Sequence, residues 1–185
     1  MGDINTDSLA EGTARQRESR MMTGLFRDRE SAEGAYRSLS SRGYGKDDVN
    51  LLMSDDTRKK YFADDGTELG TKAWEDAGKG AAIGGGVGAT LAAIAAIGTT
   101  LALPGLGLLI AGPIAAALAG GGAGALTGGL IGALVGHGIP EEQAKQYEKG
   151  IRDGGIVMGV NPRTTEDADY FENEWRNNRA ESLYR

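Results

Sequence analysis

Residues 80–140 form an unbroken run of 61 residues with no Asp, Glu, Lys or Arg, and no other feature restricts the fold of this chain so strongly. All 20 Lys and Arg and all 26 Asp and Glu lie in the rest of the 185 residues. Within the run 18 residues are Gly and 16 are Ala, with Leu, Ile and Val supplying most of the remainder. Flexible linkers of Gly-rich type are polar, and this segment has no Ser, so it reads as a segment that avoids water.

Length then suggests how. Residues 83–103 and 106–136 are each long enough to cross a hydrocarbon core of about 30 Å at about 1.5 Å per helical residue. Between them, Leu103-Pro104-Gly105-Leu106-Gly107 gathers residues that end helices and turn the chain. The expectation is a helical hairpin over 80–139 with its tip at that motif. Small residues recur every fourth position: Gly80, Gly84, Gly88, Ala92, Ala96 and Thr100 in the first half, and Gly112, Ala116, Gly120, Gly124, Gly128, Gly132 and Gly136 in the second. Such small-xxx-small stripes let backbones approach closely, which makes these positions the expected packing surface for self-association or membrane packing. An exposed helix would lose about 1 kcal/mol per Gly relative to Ala, so the hairpin needs either lipid or a dry protein core around it.

A lipid bilayer and further copies of the chain are therefore the expected partners. Both flanks of a hairpin lie on one side, and Lys72, Lys79, Lys145, Lys149 and Arg152 near its ends put that side in the cytoplasm under the positive-inside tendency. The other reading is a soluble cytoplasmic particle in which hairpins bury one another. Residues 1–20 are polar and charged without an apolar signal core and read as a disordered tail.

Composition removes most chemistry. A net charge of -6 offers no basic surplus for a phosphate backbone, so no nucleic-acid partner is expected. With no Cys and a single His, His137, neither a thiolate nucleophile nor a His or Cys metal cluster is available, and no cofactor or metal is expected. Gly120, Gly122 and Ala125 satisfy the letter of a dinucleotide fingerprint without its strand, and read as packing stripe. Asp64-Asp65-Gly66 has Tyr61 where a calcium loop needs its first carboxylate, and reads as a turn. His137 reads as an interfacial residue ending an apolar helix, and the adjacent carboxylate pairs Asp47-Asp48, Asp55-Asp56 and Glu141-Glu142 as surface charge. No nucleophile and base pair is visible, so the chain is read as non-enzymatic.

The charged parts carry the pattern of an α+β module, with residues 21–79 as its first half and 140–185 as its second. Met21 to Phe26 suits a buried strand, Asp28 an N-cap, and Ala32, Ala35, Tyr36 and Leu39 one helix face ending at Gly43. Asp47 to Ser54 reads as a second strand, and a parallel β-α-β start is the natural guess. Asp55 to Trp74 reads as loop or ragged helix. Pro140 suits the first position of a helix carrying Ala144, Tyr147 and Ile151. Residues 156–160 form the strongest strand, Thr164 or Thr165 caps a last helix with Ala168, Phe171 and Trp175 inward, and residues 181–185 suit a short edge strand. Trp74, Tyr147 and Trp175 are candidates for an interfacial aromatic belt, although core packing suits Trp175 as well. Ser54 and Ile156 are expected in one sheet, which makes the apolar segment an insertion.

The stretch Thr23-Gly24-Leu25-Phe26-Arg27-Asp28-Arg29-Glu30-Ser31-Ala32, the Gly43-Tyr44-Gly45 turn before Asp47-Asp48-Val49, and Gly154-Gly155-Ile156-Val157-Met158-Gly159-Val160 together resemble the bacterial general stress protein family that includes low-temperature-induced proteins. The resemblance spans about residues 21 to 185 and rests on fold motifs without a catalytic signature. It implies a ferredoxin-like α/β sandwich interrupted by a Gly-rich segment, in a stress-associated bacterial protein.

Overall fold

The computed structural model describes residues 21–62, 91, 94–95, 99–103, 106–115 and 125–185. They form a mixed α+β fold around one six-stranded sheet. In chain order the elements are β1 (Met22–Phe26), α1 (Arg29–Ser41), β2 (Val49–Ser54), α2 (Asp55–Phe62), β3 (Thr99–Leu103), β4 (Leu106–Ala111), α3 (Ala125–Gly136), α4 (Glu141–Arg152), β5 (Ile156–Val160), α5 (Thr165–Asn177) and β6 (Glu181–Tyr184). No described helix is long and apolar enough to cross a membrane.

Local chemistry sets the boundaries. The Asp28 carboxylate accepts from Ser31 N–H at 2.8 Å and opens α1, which closes where Gly43 takes a left-handed φ of 75°. Thr164 does the same for α5, its hydroxyl accepting from Asp167 N–H at 3.0 Å. The Ser54 hydroxyl accepts from Thr57 N–H at 3.1 Å, turning the end of β2 into α2. Pro140 is the N-cap of α4, one place before the first helical turn where its ring was expected. Acidic Glu141 and Glu142 open that helix and basic Lys149 and Arg152 close it, each matching the sign of the helix end.

The strand order is β3-β4-β2-β5-β1-β6, and every neighbouring pair is antiparallel. β5 lies between β1 and β2, with Met22 and Val49 both opposite Val160. The expected parallel β-α-β start is present in split form: β1 and β2 run the same way, and β5 lies between them, hydrogen-bonded to the inner edge of each. Met53 opposite Ile156 bears out the expectation that the two halves share one sheet across the insertion.

Both faces of the sheet are covered, so β1, β2 and β5 are buried at every residue. On the first face Met22, Phe26, Val49, Leu51, Met53, Ile156, Met158 and Val160 pack under Ala32, Ala35 and Leu39 of α1 and Phe171 and Trp175 of α5. Leu91, Ile94 and Ala95, helical residues from the charge-free run, join this core. On the second face Leu25, Leu52, Leu108, Ile110 and Val157 pack under Ile114, Leu130, Leu134 and Ile139 from the run and Ala144, Tyr147 and Ile151 of α4. Each such fully buried aliphatic chain contributes about 1.5–3 kcal/mol before ordering costs.

Candidate association surface

The expected helical hairpin is not what the described residues form. Residues 99–103 and 106–111 are two antiparallel strands that extend the sheet: Leu103 faces Leu106, and Leu51 to Ser54 pair with Ala111 to Leu108. The physical reason is the open side of β2. A run of five or six apolar residues has no period to distinguish strand from helix, and β2 offers a row of backbone donors and acceptors that β4 satisfies. Pro104 and Gly105, expected at the hairpin tip, lie outside the described residues, between the two strands.

The four-residue stripe divides accordingly. Gly80, Gly84, Gly88, Ala92, Ala96, Ala116, Gly120 and Gly124 lie outside the described residues, as do the 1–20 tail, Trp74, the Asp64-Asp65-Gly66 turn and Gly122. Thr100 is in β3. Gly112 ends β4 with φ 95°, and a Cβ there would stand 2.2 Å from the Val49 carbonyl oxygen and 2.9 Å from Asn50 Cα. Its lack of a side chain serves a strand-to-strand approach and a left-handed bend, not a helix seam. Gly128, Gly132 and Gly136 are in α3, but Gly129 (φ 59°, ψ -146°) breaks that helix, so Gly128 does not share one straight axis with Gly132 and Gly136.

The sheet's two edges are built differently. β6 is four residues long, is out of step with β1 by a bulge between Thr23 and Leu25, and holds Ser182 at a φ of 48°. Its Glu181 binds Arg27 at 2.8 Å, and Arg185 after it pairs with Asp169 and Glu172. Shortness, bulge and charge are the devices that stop an edge from pairing with another chain. At the opposite edge β3, of sequence TTLAL, pairs with β4 through five consecutive residues without a bulge and carries no charge and no Pro. Among the described residues no strand lies beyond it.

Between the second face and its cover, polar groups are satisfied in pairs. The Tyr147 hydroxyl lies 2.8 Å from Thr23 Oγ1 and donates to the Ser182 carbonyl at 2.7 Å. Burial pushes that hydroxyl up to about 12, since the phenolate would leave water. Tyr147 and Trp175, both fully buried, are core residues and not an interfacial belt. Asn50 Oδ1 accepts from Ile114 N–H at 2.8 Å and so ties the turn after β4 to the start of β2. Sequence reasoning missed Asn50, whose signal was a lone amide in the apolar strand VNLLMS.

The surface is held by ordinary electrostatics. Lys59 beside Asp55 holds that carboxyl below its usual range, and Asp55 in turn raises Lys59. Arg163 stacks over Tyr44, whose hydroxyl donates to Asp167, tying the β5–α5 connection to the turn before β2. Burial raises the Tyr44 hydroxyl, an effect its bond from Arg163 N–H opposes. No group of three or more His, Asp or Glu able to hold a metal occurs among the described residues. His137 is exposed, and its Nδ1–H donates to the Ala133 carbonyl at 2.9 Å.

Compared with models of known protein families, with curated proteins and with solved structures, the chain gives no match.

Proposed function

We propose that this chain is a non-enzymatic, self-associating structural protein of the stress-associated kind that its sequence resembles. Its module is ferredoxin-like: β1-α1-β2 and β5-α5-β6 are two β-α-β halves, and their strands lie in the order β2-β5-β1-β6. The Gly-rich insertion widens that sheet and supplies the contact between copies. One observation carries the reading: the module's own outer edge is short, bulged and charged, whereas the edge made by the insertion is continuous, uncharged and five residues long. Two β3 strands related by a two-fold axis are each other's antiparallel complement, which closes a dimer without burying a charge. Glycine-stripe packing between insertions extends the same contact, giving a soluble cytoplasmic homo-oligomer.

The lipid bilayer is retained as a second partner on one observation, the absence of any charge over 61 residues, which suits insertion of the Gly-rich segment with the α/β module facing the cytoplasm. The test is the native particle mass of the full chain without and with detergent, beside flotation with lipid vesicles. The self-association reading predicts a detergent-independent particle above the 19.2 kDa of one chain. It also predicts that Thr100→Lys or Leu101→Lys, at successive positions of β3, reduces that particle to monomer while the melting temperature of at least one variant holds. A monomer at high concentration overturns association. Flotation of the whole population with vesicles, and a particle stable only in detergent, overturns the soluble form in favour of the bilayer.

A further inference from the structure

A cleft of about 390 Å³ opens at the end of the sheet where β1 begins. Strand register brings its residues together: with Met22 and Val49 both facing Val160 and Thr23 facing Tyr184, the positions Met21, Asn50, Asn161 and Tyr184 fall at one end. The turn after β4 adds Ile114, and the turn after α3 adds His137. Gly159, opposite Thr23 and Asn50, lets these side chains approach closely beside the cleft: a Cβ there would lie 3.2 Å from Thr23 Cγ2, 3.3 Å from Met21 Sδ and 3.5 Å from Asn50 Cβ.

The lining is selective in its chemistry. It has no Asp, Glu, Lys or Arg, so a charged ligand would lose its hydration with no opposite charge to meet. Asn50 is 1% exposed, and its amide is half used: Oδ1 is taken by Ile114 N–H, while Nδ2 has only the Met21 thioether, at 3.6 Å. Two amide protons facing one weak sulfur acceptor leave donor capacity at a buried atom. On the same lining the His137 ring donates through Nδ1 to the Ala133 carbonyl, which leaves Nε2 as the ring nitrogen available to a ligand. Asn161 adds a second, exposed amide. Met21 and Ile114 supply apolar wall, and Tyr184 donates to the Gly138 carbonyl at 3.3 Å, bracing the His137 turn.

A donor from Asn50, an acceptor at His137 and apolar walls between them are the complement of one group, a carboxamide on a compact hydrocarbon. We propose that this cleft is a binding site for small uncharged carboxamides, whose carbonyl accepts from Asn50 Nδ2 and whose N–H donates to His137 Nε2. The site is independent of the association surface, which lies at β3 on the other side of the sheet from β6.

The test uses benzamide with the full chain at neutral pH, followed by amide chemical shifts, with benzoate and benzylamine as charged isosteres of the same bulk. Benzamide should give saturable shifts centred on residues 50, 114, 137, 138 and 161, and each charged isostere should bind at least about tenfold more weakly, the factor that about 1.4 kcal/mol represents. Asn50→Ala would also free the Ile114 N–H, so the diagnostic variants are the exposed His137→Phe and Asn161→Ala. His137→Phe should weaken benzamide about tenfold and Asn161→Ala severalfold, both at unchanged melting temperature. Absent or scattered shifts, equal binding of the isosteres, or unchanged affinity in His137→Phe would each overturn the proposal.

Discussion

The two faces of the sheet are built from different materials. Facing α1 and α5, the central strands present Met22, Phe26, Val49, Leu51, Met53, Ile156, Met158 and Val160, without a hydrogen-bonding side chain among them. Facing the insertion and α4, the same strands present Thr23, Asn50 and Ser54 between Leu25, Leu52 and Val157, and all three polar side chains are at least nine-tenths buried. The first face is closed chiefly by two helices whose caps and periodicity are local to each half of the module, with Leu91, Ile94 and Ala95 of the charge-free run beside them. The second is closed by α4 and by residues from the charge-free run, each fastened by a bond across a long stretch of chain: Tyr147 of α4 to Thr23, and Ile114 of the run to Asn50. Apolar packing alone holds a layer without fixing its position, while a buried polar pair that must be satisfied fixes where the layer sits. Because the glycine-rich cover has few large side chains to set its register, it is the layer that needs such pins.

The largest effect that would sharpen this contrast lies on the first face. Phe171→Ala removes a ring packed edge-on to Tyr44 at 4.9 Å and should cost about 3–5 kcal/mol, lowering the denaturant midpoint of the whole molecule in one transition. Next comes the joint of the second face. Gly112→Ala forces a Cβ against the Val49 carbonyl at a left-handed φ and should cost about 3 kcal/mol, with the loss read first at β4 amides and the Ile114 amide. If both variants melted the two faces identically, the distinction between a fixed layer and a pinned one would fall.

Smaller effects test the pins themselves. Tyr147→Phe leaves the Thr23 hydroxyl without its partner and should cost about 1–3 kcal/mol at neutral pH. Its pH dependence has a definite sign. The folded hydroxyl is raised to about 12, so its contribution is complete below the unfolded tyrosine value of about 10 and is lost as pH climbs through that interval. Wild type minus Tyr147→Phe, measured by denaturant titration from pH 9 to 12, should therefore shrink by about 2–3 kcal/mol. A difference that stays constant across that range would contradict the buried-hydroxyl account.

Much of the first face could be read from the chain. Asp28, Gly43 and Thr164 mark their helix ends by side-chain chemistry that acts within four residues, and residues 156–160 are a strand as their β-branched run indicates. That β5 divides β1 from β2 is a matter of pairing across more than a hundred residues that no local pattern encodes. The insertion was misread for a physical reason. Thr99 to Ala111 has length and hydrophobicity but no period, and its strand form depends on the unpaired side of β2. Gly112 belonged to a regular series in sequence, yet its cause is the Val49 carbonyl; spacing alone cannot separate the two reasons for a missing side chain. The polar pins and the cleft were likewise illegible, because Met21, Asn50 and Tyr184 meet through strand register and His137 joins them from the turn after α3.

Amide hydrogen exchange of the native full chain tests most directly the claim that the charge-free run is built into the sheet and its second cover. β4 lies between β2 and β3, and Ile114 N–H is held by Asn50. Leu109, Ile110 and Ile114 should therefore exchange slowly, within about tenfold of Val157 and Met158 at the sheet centre, since all open with the same unit. Exchange of those three amides at unprotected rates, beside slow exchange in β5, would contradict the account.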